Sequence, residues 1–91
     1  MAKAVIDVII PAYNEEKSIG KVIDEIPSEL VRDIIVCNNN STDGTSEIAA
    51  EHGATVVDAH VKGYGSACLE GMHYIAQKDI KPTIVVFIDG D

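Results

Sequence analysis

The segment Val86-Phe87-Ile88-Asp89-Gly90-Asp91 joins a run of strand-forming apolar residues to two carboxylates separated by one glycine. Residues two apart in extended backbone project to the same side. Asp89 and Asp91 can therefore offer their oxygens together to one hard cation such as Mg2+ or Mn2+. Taken alone, Asp-Gly-Asp is also an ordinary polar turn closing a strand. What separates the two readings is whether other polar segments converge on it. The candidates are "PAYNEE" (11–16) and "NNNSTDG" (38–44). The acids Glu15 and Glu16 also suit the first turn of a helix, where the macrodipole favours negative charge. The glycines around Tyr64 would let backbone approach a phosphate at a helix N-terminus, beside Lys62.

The elements that would position these segments follow from apolar periodicity. Ala4 to Ile10 is a β-branched run broken by Asp7, and Pro11, which lacks a backbone donor, is expected to end its pairing. Ile19, Val22, Ile23 and Ile26 form one stripe at i, i+3, i+4 and i+7, predicting a helix that stops before Pro27. "DIIVC" (33–37) reads as a strand buried on both faces. Asp43 or Gly44 can cap a second helix running through His52, with Gly53 supplying a left-handed terminus. "ATVVDA" (54–59) is a third strand, and a third helix is expected from about Ser66 to Lys78, turning Leu69, Met72, Ile75 and Ala76 to the core. "TIVVFI" (83–88) is a fourth strand.

This alternation predicts an α/β fold, a three-layer doubly wound parallel sheet with right-handed crossovers and strand order 3-2-1-4. The first and fourth strands would then be neighbours at the switch point, where ligands bind beyond the carboxyl ends of the strands. The polar loops would meet there, which favours the metal reading of Asp89 and Asp91.

Composition bounds the possibilities. Ninety-one residues, 46% of them hydrophobic, suffice for one small domain. No apolar run is long enough for a membrane span and no secretory leader is visible, so the chain reads as cytoplasmic. A net charge of −8 opposes binding to nucleic acid or to an anionic membrane, and a polyanionic ligand would need a cation or a helix terminus. Cys37 and Cys68 lack metal-ligand spacing and read as core thiols, and His52, His60 and His73 show no partner.

The segments "VIIPAYNEEKSIGKVIDEI", "IIVCNNNSTDGTSEIA", "KGYGSACLEGM" and "VVFIDGD" resemble the nucleotide-sugar half of family 2 glycosyltransferases over nearly the whole chain. The likeness is strongest to enzymes that move a sugar to a polyprenyl phosphate or a related acceptor, the group containing dolichyl-phosphate mannose synthase. The resemblance implies the N-terminal half of a GT-A fold, inversion at the anomeric carbon, and Mg2+ or Mn2+ held by Asp89 and Asp91. It places Pro11, Ala12, Tyr13 and Glu15 at the nucleoside, with Tyr13 against the base and Glu15 accepting from base or ribose. Lys62 matches a basic position near the nucleotide, and Asp89 and Gly90 belong to the nucleotide-sugar site. The family has aspartate where this chain has Asn38, and often a second acid at Asn39. An asparagine can pair with uracil but cannot accept from both guanine donors, so a UDP-sugar is expected over a GDP-sugar.

Other nucleotide folds fit less well. "PAYNEE" stands where a dinucleotide-binding domain needs G-x-G-x-x-G, and no P-loop sequence is present. A receiver domain needs more around "VVDAH" than this chain has, and a nucleotidyltransferase opens on a glycine- and arginine-rich loop. In the family the catalytic base and the acceptor-binding part follow the Asp-x-Asp motif. Residues 1–91 are thus expected to be the nucleotide-diphosphate-sugar-binding part of the domain, cut after that motif, with no catalytic residue inside them and no turnover by themselves. The alternative is a non-catalytic nucleotide-binding or structural half-domain. The apolar edge at 83–88 is expected to drive self-association.

Overall fold

The computed structural model describes residues 3–91. Its elements alternate: β1 (Ile6–Ala12), α1 (Ile19–Asp24), β2 (Asp33–Asn38), α2 (Thr45–Glu51), β3 (Thr55–Asp58), α3 (Tyr64–Ala76) and β4 (Ile84–Phe87). The strands form one sheet of order β3-β2-β1-β4, every pair parallel. This is the doubly wound arrangement and order that the alternation predicts.

The two-residue period of β1 builds both halves of the core. Val8, Ile10 and Ala12 pack with Ile19 and Ile23 of α1 and Ala49 of α2 on one face. Ile9 packs with Ile35, Cys37, Ala67 and Ile75 on the other, beneath α3. β1 is buried on both sides because it is central, whereas β4 lies at the edge with Ile84, Val86 and Phe87 exposed. Among the described residues no helix is long and apolar enough to cross a membrane.

Pairing of β1 does not end at Pro11. The strand continues through Ala12, with Pro11 opposite Cys37 and Ala12 opposite Asn38. Ala12 O accepts from Asn39 N, and Ile9 O accepts from Ile88 N, so alternate residues of β1 face β2 and β4. The missing donor of Pro11 falls on the β4 side, just past the end of β4, where it breaks no rung between β1 and β2.

α3 also differs from expectation. It begins at Tyr64, and its buried residues are Ala67, Gly71 and Ile75. Leu69, Met72 and Ala76, expected in the core, are exposed. The inward stripe is small because the helix lies close on the sheet: a Cβ at Gly71 would stand 2.9 Å from Cys37 Sγ and 2.9 Å from Ile9 Cγ2. Small residues permit that approach, and larger neighbours turn outward.

Polar groups fasten the opposite end of the sheet. Asp7, fully buried, receives Arg32 Nη2 at 2.6 Å and Nε at 3.1 Å, and Lys78 Nζ stands 3.4 Å away. Lys78 also donates to Asp33 at 2.8 Å, tying the end of α3 to β1 and β2. His52, which showed no partner in sequence, has Nδ1 2.8 Å from Asp24 Oδ1 across the α1–α2 contact. Cys37 is buried and Cys68 half-buried, both free, and burial pushes the Cys37 thiol up to about 12.

Candidate functional site

Beyond the carboxyl ends of the strands, side-chain to backbone bonds tie the polar loops to one another. Asn14, with φ of 50°, takes the left-handed conformation that asparagine tolerates. Its amide donates to Ser41 Oγ at 2.9 Å, and its Oδ1 accepts from Thr42 N at 2.8 Å. Glu15 N donates to Thr45 Oγ1 at 2.8 Å, and Glu16 Oε2 accepts from Gly44 N at 3.2 Å. Asp43 closes the start of α2, accepting from Thr45 N at 3.0 Å and from Glu16 N at 3.3 Å. These bonds hold "PAYNEE" and "NNNSTDG" as one unit. The Thr45 hydroxyl beside Asp43 is the main cause holding that carboxyl below its ordinary value.

The third loop is pinned by Asn39, which is buried. Its Nδ2 donates to Val61 O at 2.9 Å and Ala59 O at 3.3 Å, while its Oδ1 accepts from Gly63 N at 2.9 Å. Asn40 adds bonds to Ala59 O and His60 O. Gly63 has φ of 124°, a conformation glycine adopts without strain. Asn38 donates to Asp58 Oδ1 at 3.3 Å and accepts from Ser41 N at 3.2 Å. Both asparagines placed at the base by resemblance thus have structural partners as well.

These loops surround a cleft of about 180 Å3. Pro11, Ala12, Tyr13 and Glu15 form one wall, Asp89, Gly90 and Asp91 another, and Tyr64, Ala67 and Asn39 complete it. The structure therefore brings the residues proposed for the nucleoside and for the metal into one depression at the β1–β4 switch point. Tyr13 continues into an adjoining hollow with Asn39, Lys62, Gly63 and Tyr64, which is where Lys62 lies. Asn38 lines neither. Tyr64 and Ser18 were not singled out in the sequence. Tyr64 was hidden inside a glycine-rich motif, and the partner of Ser18 lies 72 positions away, where no local pattern could signal it.

The cleft wall carries the carboxylates of Glu15, Asp89 and Asp91 and no lysine, arginine or histidine. Burial, then the charge of Asp91, raises the Glu15 carboxyl above its ordinary value. The Tyr64 phenol is likewise raised by burial and by Cys68 and Asp89. Carboxylates gathered without a counter-charge suit a nearby divalent cation of the Mg2+ or Mn2+ type. Among the described residues no cluster of three or more His, Cys, Asp or Glu side chains is arranged to hold a metal unaided. Asp89 and Asp91 would supply two positions of such a cation and leave the others to a diphosphate and water.

Comparison with known proteins gives the family. The pattern of "Glycosyl transferase family 2" matches residues 7–91. The chain belongs to that family. Protein RfbJ of Shigella flexneri is 39% identical over 87 residues, covering 94% of this chain and 64% of RfbJ. A 4,4'-diaponeurosporenoate glycosyltransferase of Staphylococcus aureus is 42% identical over 91 residues, covering 92% of this chain and 23% of that enzyme. Glucosyl-3-phosphoglycerate synthase from Mycobacterium tuberculosis, solved with Mn2+, UDP and glucosyl-3-phosphoglycerate, is 36% identical with a TM-score of 0.82. That match covers 97% of this chain and 34% of the synthase. The same synthase has been solved with Mg2+ and UDP, again at a TM-score of 0.82. This family 2 chain thus has the GT-A sheet order the resemblance implied, and it spans 64% of RfbJ, 23% of the staphylococcal enzyme and 34% of the synthase.

Proposed function

We propose that residues 1–91 form the nucleotide-diphosphate-sugar-binding part of an inverting glycosyltransferase that passes its sugar to an acceptor such as a polyprenyl phosphate. One observation carries the reading: Glu15, Asp89 and Asp91 share a cleft without a basic side chain, at the switch point of a family 2 chain. Tyr13 lies against the base, Glu15 accepts from base or ribose, and Lys62 reaches the nucleotide from the adjoining hollow. Asp89 and Asp91 would hold the cation, which when bound supplies positive charge to the leaving diphosphate. Tyr64 and Ala67 form the far wall. The catalytic base is assigned to no residue of this chain, and the second reading, nucleotide binding without turnover by these 91 residues, follows from that.

UDP is proposed over GDP. Asn39, the asparagine of the two that lines the cleft, cannot accept from both guanine donors as a carboxylate could, and uracil would meet its amide by exchanging one internal bond. The solved synthase complexes with UDP support the same choice. Calorimetry tests both points: UDP binds with Mn2+ or Mg2+ present, at least tenfold more weakly with chelator, and more tightly than GDP. Equal affinity with and without metal sinks the metal site, and tighter GDP binding sinks the base assignment. Multiple turnovers of UDP-glucose by this chain alone would overturn the non-catalytic reading. The chain is also proposed to pair with a second copy through the open edge of β4.

A further inference from the structure

We infer that Ser18 is a positioning residue for the Asp89/Asp91 pair, gripping the carbonyl between them so that both carboxylates face one cation. The inference rests on the proposed metal-dependent nucleotide site and adds to it the residue that presents the metal ligands.

The need for such a grip follows from Pro11. Ile88 N donates to Ile9 O at 3.0 Å, the last main-chain bond between β1 and β4. A parallel ladder would next take the N–H of residue 11 to the carbonyl of Ile88, but proline has none. The ladder stops there, and Asp89, Gly90 and Asp91 leave the strand without a rung.

Ser18 replaces it. Its Oγ donates to Gly90 O at 2.8 Å. Among the described residues this is the only hydrogen bond made to residues 89–91. Ser18 also lies 3.4 Å from Glu15 O and Oε2, but a hydroxyl has one proton, and the shorter contact with Gly90 takes it. Packing completes the hold: Gly90 is buried, and a Cβ there would stand 3.3 Å from Glu15 Cγ and 3.5 Å from Pro11 O. The Gly90 peptide therefore lies against the end of β1 while its neighbours project into the cleft. Ser18 N and Ile19 N both donate to Glu15 O, at 3.0 and 2.8 Å, so the same residue fixes the loop that carries Glu15. One side chain thereby sets the spacing between the nucleoside wall and the metal wall.

The test is the metal dependence of UDP binding, taken as the ratio of affinity in saturating Mn2+ to affinity in chelator. Ser18→Ala should lower that ratio about fivefold, the effect of losing one positioning hydrogen bond, with the loss concentrated in the Mn2+ arm. Ser18→Thr, which keeps the hydroxyl, should restore it. Circular dichroism monitors the fold. Should Ser18→Ala unfold, Ser18→Cys, with similar volume and a weaker donor, should lower the ratio part-way. A purely structural role would lower Tm and leave the ratio intact. An unchanged ratio in folded Ser18→Ala or Ser18→Cys, with a wild-type ratio above one, overturns the inference alone. A wild-type ratio of one overturns the metal reading and this inference with it.

Discussion

Asp7 interrupts an otherwise apolar strand, and its surroundings explain why a carboxylate is tolerated with no exposed surface. Burial pushes its pKa up, but hydrogen bonds from Arg32 and the charges of Lys78 and Arg32 outweigh that and hold it below the ordinary 3.8. A carboxyl depressed in the folded state contributes stability that is fully present above its unfolded value and is lost as pH falls through the folded one. Asp7→Asn should therefore lower Tm at pH 7 by about 5 °C, because Arg32 and Lys78 lose the negative charge they share and one of its two acceptor oxygens. It should also flatten the pH dependence of Tm below about pH 4. Thermal melts at pH 7 and pH 3 check this, and a wild-type-like acid slope in the variant would assign the acid sensitivity elsewhere. In sequence Asp7 showed as a break in a strand; its partners at 32 and 78 are set by topology, which no local pattern carries.

At the level of elements, legibility tracked the length scale of the contacts. The stripe of Ile19, Val22, Ile23 and Ile26 identified α1, because a helix on a sheet with ordinary side chains repeats every 3.6 residues. The helix ends at Asp24, however, and Ile26 packs on the same core from the turn beyond it. The same reasoning failed on α3, where Leu69 and Met72 were expected inside and Gly71 occupies the inward face. Hydrophobicity marks which residues can be buried, whereas closeness of approach decides which size fits. The site behaved similarly. The acidic motif and the residues from Pro11 to Glu15 were legible as local strings, while Ser18 and Tyr64 became visible through the fold. Gly71→Ala separates the competing effects. Alanine gains about 1 kcal/mol in helix propensity over glycine. Its Cβ would meet Ile9 and Cys37 at 2.9 Å in a packed layer, an overpacking worth roughly 1–3 kcal/mol. The contact involves buried strand residues that cannot move aside, so net destabilisation of about 1 kcal/mol is expected. Urea unfolding measures it, and a raised midpoint would mean that α3 sits farther from the sheet.

For the whole molecule, the order β3-β2-β1-β4 places the polar loops of the cleft at one end, the Asp7 clasp at the other, and the edge of β4 along one side. Ile84 N donates to Val5 O and Ile88 N to Ile9 O, so alternate residues of β4 face β1. Val85 and Phe87 consequently turn their main-chain groups outward. The paired strand is Ile84–Phe87, shorter than the expected 83–88, and it contains no charge or proline to discourage a partner. A second copy related by a two-fold axis would add its own β4 antiparallel to this one and cover Val86 and Phe87 on both. Two features weaken the pairing: the edge is four residues long, and each copy carries a net charge of −8. The expected outcome is a reversible dimer that strengthens with salt, since the Debye length falls from about 10 Å at 0.1 M to about 3 Å at 1 M and screens the repulsion between copies. Sedimentation equilibrium over a hundredfold range of concentration should show monomer giving way to dimer. Val86 is 36% exposed, so Val86→Lys should leave the fold intact while setting two ammonium groups near the axis and returning the chain to monomer. A wild-type monomer throughout that range removes the idea, and so does a dimer indifferent to Val86→Lys, which would place the contact on the outward face of α3 around Leu69 and Met72 instead.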